Sequence, residues 1–200
     1  WAGPESAVAS TKAYTTQLMC LYLLALKLAS VQKKIDSKEY VRYLDQLNRV
    51  PSKIQELLDD QTSIQRFVST NYNKSKVFFI GRLFDSATSL ECALKLKEVS
   101  YMHSEAFAAG ELKHGPIALI DKDTLVVATA TCANLFDKLA SSIQEVKTRG
   151  ASTLVITQNK GDAFQKSVDE IIVIPEVDEI FEPMLSIVPS QLFAYYCAVH

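Results

Sequence analysis

From Lys76 onward the chain alternates between short apolar runs and longer stretches of helical pattern, and this alternation limits the folds open to it. The runs are Lys76-Val-Phe-Phe-Ile80, Thr124-Leu-Val-Val-Ala-Thr129, Thr153-Leu-Val-Ile-Thr157 and Glu170-Ile-Ile-Val-Ile174. Each is too short for a helix and too uniformly apolar for a strand with one wet face. Helices are predicted over 86–104, over 133–148 ending at Gly150, and from near Pro183 to the last residue. Apolar strands separated by helices predict an α/β fold with a parallel sheet covered on both faces. Ligands of such sheets bind at the carboxyl ends of the strands.

Before Lys76 the pattern is helical. Residues 1–9 read as a loop punctuated by Gly3 and Pro4. Ser10 or Thr11 is placed to cap a helix running to about Lys34, with Leu18, Leu21, Ala25 and Leu28 on one stripe. Two further helices are predicted over 37–48 and 51–68, the second begun by Pro51. Asn71-Tyr-Asn-Lys-Ser75 is polar and marks a domain boundary. The leading helices cannot bury both faces alone, so they are expected to belong to a preceding domain. The chain begins at Trp1 and stops inside an apolar run, as an excerpt of a longer polypeptide would.

The formal net charge of −2 gives no general attraction for nucleic acid or acidic membranes, so any anion site must be local. Cys20, Cys92, Cys132 and Cys197 lie far apart in apolar contexts and read as reduced core thiols, which points to the cytoplasm. With three histidines and no Cys/His pairing at ligand spacing, no metal centre and no cofactor are expected. The longest apolar run, Leu18 to Leu26, is short of the ~20 residues that span a bilayer, so no membrane segment is expected.

Three places could carry chemistry. The loop Ala2-Gly-Pro-Glu-Ser-Ala-Val-Ala-Ser-Thr-Lys-Ala13 feeds a helix whose free amides favour an anion or a sugar hydroxyl; an ordinary helix cap fits as well. Gly81-Arg-Leu-Phe-Asp-Ser86 is a strand–loop–helix turn with one glycine, best read as a degenerate phosphate loop. Lys95 and Glu98 share a helical face, and His114 follows in Gly110-Glu-Leu-Lys-His-Gly-Pro116, where Gly and Pro present it on a loop. A partly desolvated glutamate can move a proton between adjacent carbons, and an imidazole can transfer one at a ring oxygen. A solvated ion-pair face that includes Glu91, with a plain loop histidine, explains the same residues. His103, beside Tyr101 and Met102, reads as packing.

Ala2 to Leu18 and Leu94 to Pro116 closely resemble the isomerase domain of the glutamine–fructose-6-phosphate aminotransferase family. Ile143 to Gly150 and Ile187 to Tyr195 match as well, so the similarity runs in order through essentially the whole chain. The resemblance implies sugar-isomerase (SIS) domains, each an αβα sandwich with a parallel, flavodoxin-like sheet. Residues 1–70 would be the helical end of a first SIS domain plus a connection, and 71–200 a second SIS domain without its tail. The family makes glucosamine 6-phosphate from fructose 6-phosphate and glutamine-derived ammonia. By resemblance Glu98 would be the C1–C2 base and Lys95 its assistant. His114 would promote ring opening in the neighbouring subunit's site, and Val8, Ala9 and Ser10 would line the sugar. A homodimer and a glutaminase domain in the full chain are implied, with no nucleic-acid or membrane partner. The family's Ser/Thr-rich phosphate loop and its imine-forming tail lysine have no match here, so the 200 residues alone are expected to be inactive. A sugar-phosphate-sensing regulatory module and a SIS-family deglycase are the alternatives.

Overall fold

The computed structural model describes residues 2–158, 164 and 167–200. Three helices lead: α1 (Lys12–Val31), α2 (Ser37–Asp59) and α3 (Thr62–Asn71). Then come β1 (Lys76–Gly81), α4 (Phe84–Ser100), β2 (Ser104–Ala108), β3 (Thr124–Ala130), α5 (Phe136–Thr148), β4 (Ser152–Thr157), β5 (Glu170–Val173) and α6 (Glu182–Val199). The strands form one parallel sheet in the order β2-β1-β3-β4-β5.

Alternation along the strands builds two cores. Val77, Phe79, Leu125, Val127, Leu154 and Ile156 face a layer made by α4, α6 and the three leading helices. Phe78, Ile80, Val126, Ala128 and Val155 face Leu139, Ile143 and Val146 of α5. Both faces of β1, β3 and β4 are therefore dry, and their uniform apolarity follows from that. The leading helices share the first core: Leu47, Val50, Leu57, Ile64, Phe67 and Val68 are buried in it. Phe181 is held edge-on by Tyr22 of α1 at 5.0 Å and Tyr43 of α2 at 5.9 Å.

Several expectations are corrected. The helices predicted over 37–48 and 51–68 are instead one helix through Pro51, ending at Asp59, and a separate α3. Its capping box, in which Asp36 accepts from the Glu39 amide and Glu39 reaches back, starts α2 ahead of the proline. The helix predicted to reach 104 ends at Ser100, because Tyr101 takes a left-handed conformation (φ 60°). Residues 104–108 are an unanticipated edge strand. On α1 the predicted stripe points the wrong way: Leu21, Ala25 and Leu28 are exposed, while Tyr14, Met19, Tyr22 and Leu26 pack inward with Leu18. By length and composition α1 could also cross a bilayer, which the shorter run from Leu18 to Leu26 concealed. Cys20 is exposed, so three of the four cysteines are core thiols. Burial pushes Cys92 and Cys197 up to about 12, which keeps them protonated.

Candidate functional site

The candidate acid–base residues sit on the last turns of α4. Successive hydrophobic contacts fix this helix against β1, β2 and α6, with Cys92, Ala93 and Leu96 buried. Lys95 falls one residue before Leu96 on that inward side and is only 3% exposed. Its ammonium pairs with Glu98 Oε2 at 2.6 Å and Glu91 Oε1 at 3.5 Å. A buried ammonium costs several kcal/mol unless its charge is met. Here two carboxylates meet it, and both keep part of their surface open to solvent. The solvated ion-pair face is thereby ruled out: the lysine is a buried strut that fixes Glu98 in place. Glu91, read from spacing as an ordinary helical partner, is the second support of that strut.

Val8, Ala9 and Ser10 lie in the loop before α1. Val8 is 93% exposed, and Ala9 and Ser10 are half-buried. The loop folds back on itself: Lys12 Nζ donates to the Pro4 carbonyl at 2.7 Å, and the Ser10 hydroxyl donates to Glu5 at 3.3 Å. Neither Ser10 nor Thr11 caps the helix with its side chain, contrary to expectation. Tyr14, one turn on, bonds to Thr88 and lies beside Cys92 and Glu91 of α4; burial raises its pKa. The loop is thus tethered to the helix that carries Lys95 and Glu98, and the Val8 side chain is free to meet a ligand or another segment.

His114 is elsewhere. It ends a short 3₁₀ turn, Leu112–His114, after the carboxyl end of β2. The Ala109 amide there donates to the Gly81 carbonyl at 2.8 Å, level with the start of α4. Glu98 is 14 residues further along α4, or about 20 Å of helix. His114 is exposed and lines a cleft of about 550 Å³ with Arg82, Lys113, Lys138 and Ser141. The chain therefore brings Lys95, Glu98 and Glu91 together and leaves His114 at the opposite end of the sheet. A larger hollow of about 790 Å³ beside β5 is lined by none of the candidate residues. His103 is exposed and 3.4 Å from Glu105 rather than packed.

At the carboxyl end of β1, the reading of residues 81–86 as a degenerate phosphate loop gives Asp85 no role, and nothing in the sequence singles out Glu182. Asp85 and Glu182 are buried, and both carboxyls are raised by burial, Glu182 to about 8. Asp85 lies in the first turn of α4, which starts two residues earlier than the predicted 86. Among the described residues no three His, Cys, Asp or Glu side chains converge as metal ligands.

The SIS domain family model matches residues 72–200. The chain belongs to the SIS domain family. It is 49% identical over 199 residues to the glutamine–fructose-6-phosphate aminotransferase (isomerizing) of Caldanaerobacter subterraneus, and 46% identical to that of Clostridium tetani. Each match covers 100% of this chain and 33% of the relative, so the chain spans a third of their length. Among solved structures, the C-terminal domain of the Francisella tularensis glucosamine-fructose-6-phosphate aminotransferase superposes with a TM-score of 0.89 at 33% identity. That match covers 98% of this chain and 56% of that one. The expected α/β sandwich with a parallel sheet is what these comparisons and the structure show for this SIS domain.

Proposed function

We propose that this chain is part of the isomerase region of a glutamine-dependent aminotransferase that converts fructose 6-phosphate to glucosamine 6-phosphate. The observation that carries the reading is the buried Lys95 ammonium 2.6 Å from Glu98, which leaves one carboxylate face open and the other fixed. A base that moves a proton from C1 to C2 must reach both carbons without swinging, and a short charge-assisted hydrogen bond supplies that restraint. Glu98 is the base, Lys95 holds it, and Glu91 holds Lys95. Val8, Ala9 and Ser10 line the sugar from a loop tied to the same helix.

His114 promotes ring opening from a second subunit. Its place at the far end of the sheet supports this, because one chain cannot present His114 and Glu98 to a single sugar. The working unit is then a homodimer, and the remaining two-thirds of the protein supply the phosphate site and a glutaminase domain. Residues 1–70 are the helical end of a first SIS domain plus a connection that packs on the core of the second, residues 71–200 form that second domain, and the protein is cytoplasmic. The 200 residues by themselves are inactive.

The test is glutamine-dependent glucosamine-6-phosphate formation by the full-length protein. Glu98→Gln keeps the shape and removes the base, and is expected to lower kcat by 10²–10⁴ with the fold intact. Activity near wild type would sink the assignment. Mixed dimers of Glu98→Gln and His114→Ala chains are expected to recover activity at one site per dimer. No recovery, with both variants folded and dimeric, would refute the shared site.

A further inference from the structure

In parallel sheets of this order the crevice between β1 and β3, where the strand order reverses, is the place for a ligand. In this chain two carboxyl groups are buried around the end of β3 that borders it. Asp85, 2% exposed on the first turn of α4, reaches over the end of β3. It accepts from the Thr131 amide at 2.9 Å, from the Thr131 hydroxyl at 2.5 Å, and from the Cys132 amide. Glu182, 5% exposed at the first position of α6, comes in from the other side. Its Oε1 accepts from the Gln158 amide group at the end of β4. Its Oε2 is buried with no hydrogen-bond partner among the described residues. An ionised carboxylate with an orphaned buried oxygen costs more than a protonated one, because the burial of an unmatched charge is added to the missing hydrogen bond.

We propose that Asp85 and Glu182 form a clamp across this crevice that holds one negative charge and one proton at neutral pH. Asp85, with three donors, carries the charge; Glu182, with one, carries the proton. Among the described residues, the charged groups acting on Glu182 are Asp85 from α4 and Glu179 and Asp178 from the turn before α6, all acidic. Asp178 is in part neutralised by Arg42 at 2.9 Å. Burial first, and these charges after it, push Glu182 up to about 8. The Thr131 hydroxyl works against that shift, but its single proton goes to Asp85. The Cys132 thiol beside them is pushed up to about 12 by burial and by Asp85, so it adds no charge. The clamp shuts the crevice to sugar phosphates and other anions, and it loosens when the proton leaves.

Wild type and Glu182→Gln full-length proteins are compared by difference infrared spectroscopy and by thermal unfolding between pH 5 and 9. Glutamine imitates the protonated acid and keeps the contact with Gln158. The wild type is expected to show a protonated-carboxyl C=O band at pH 7 that the variant lacks and that titrates away near pH 8. Its Tm is expected to fall relative to the variant as pH rises to 8 and to run parallel above. Asp85→Asn, which removes the like charge that acts most strongly on Glu182, is expected to move the band's midpoint to lower pH. If Glu182→Gln fails to fold, the wild-type band and its shift in Asp85→Asn decide alone. No such band at pH 7, parallel Tm profiles, or an unmoved midpoint in Asp85→Asn would overturn the clamp.

Discussion

Leu83 sits at φ 52° and ψ −120°, a region essentially reserved for glycine, and its side chain is 69% exposed. It occupies the turn from β1 into α4, where Gly81 has no room for a side chain: an added Cβ would lie 2.4 Å from the Asp85 carbonyl carbon. The strain costs about 1–3 kcal/mol. Glycine would relieve it, lose little packing, and give back about 0.5–1 kcal/mol through a freer unfolded chain. Relief wins, so Leu83→Gly is expected to raise stability by roughly 1 kcal/mol in urea unfolding; a lower stability would show that the strain is absent. The opposite sign is expected at Lys95. Lys95→Met keeps the buried stem but leaves Glu91 and Glu98 facing each other without a cation. Removing one partner of a fully buried pair costs about 3–5 kcal/mol. Both carboxylates keep some water here, so about 1–3 kcal/mol is expected from urea midpoints, and a gain would refute the strut. Neither effect was visible in the residue letters. Spacing put Lys95 and Glu98 on one face, but whether that face is wet or dry depends on α6 and β2 arriving beside it. Leu83 reads as an unremarkable loop leucine until its backbone angles are known.

At the scale of elements, legibility followed the strength of the local signal. The runs of β1, β3 and β4 were readable because burial on both faces demands continuous apolarity, and that of β5, at the other edge, because it is Ile-Ile-Val beside a proline. The strand Ser104-Glu-Ala-Phe-Ala108 was not, because it is an edge strand paired only with β1 and carries small and charged residues. Its place is fixed by tertiary contacts, such as the buried Ser104 hydroxyl donating to the Ala93 carbonyl of α4 at 2.8 Å. Pro51 misled in the other direction. It was read as a helix start, yet α2 runs through it because Leu47, Val50 and Leu57 on either side are anchored in one core. The proline has no amide to give the Leu47 carbonyl, and its ring crowds that turn. It is exposed, so Pro51→Ala restores the bond and removes no packing. An increase of about 1–3 kcal/mol in unfolding free energy is expected. A decrease would mean that the turn is held in its shape for a purpose served only by proline.

For the whole molecule, the decisive feature is the side of α1 turned away from the sheet. Leu21, Leu24, Leu28 and Val31 are each half or more exposed and follow one another at helical spacing. Scattered surface leucines are ordinary, but an apolar face along a 20-residue helix is not. The outer side of α4 adds Leu90 and Leu94, with Tyr101 just past its end. Burying an exposed leucine stabilises by about 1.5–3 kcal/mol, so four of them provide ample drive for association. In the proposed full-length protein the preceding domain covers α1; in the 200-residue chain only another molecule can. The chain alone is therefore expected to self-associate in sedimentation velocity as its concentration rises. Leu24→Glu with Leu28→Glu should restore a monomer without unfolding it, because neither side chain reaches the core. In the full-length protein the same pair must bury two carboxylates against an apolar neighbour, and the thermal midpoint should drop by several degrees. A wild-type chain that stays monomeric, together with a full-length protein indifferent to the two glutamates, would show that nothing packs on this face.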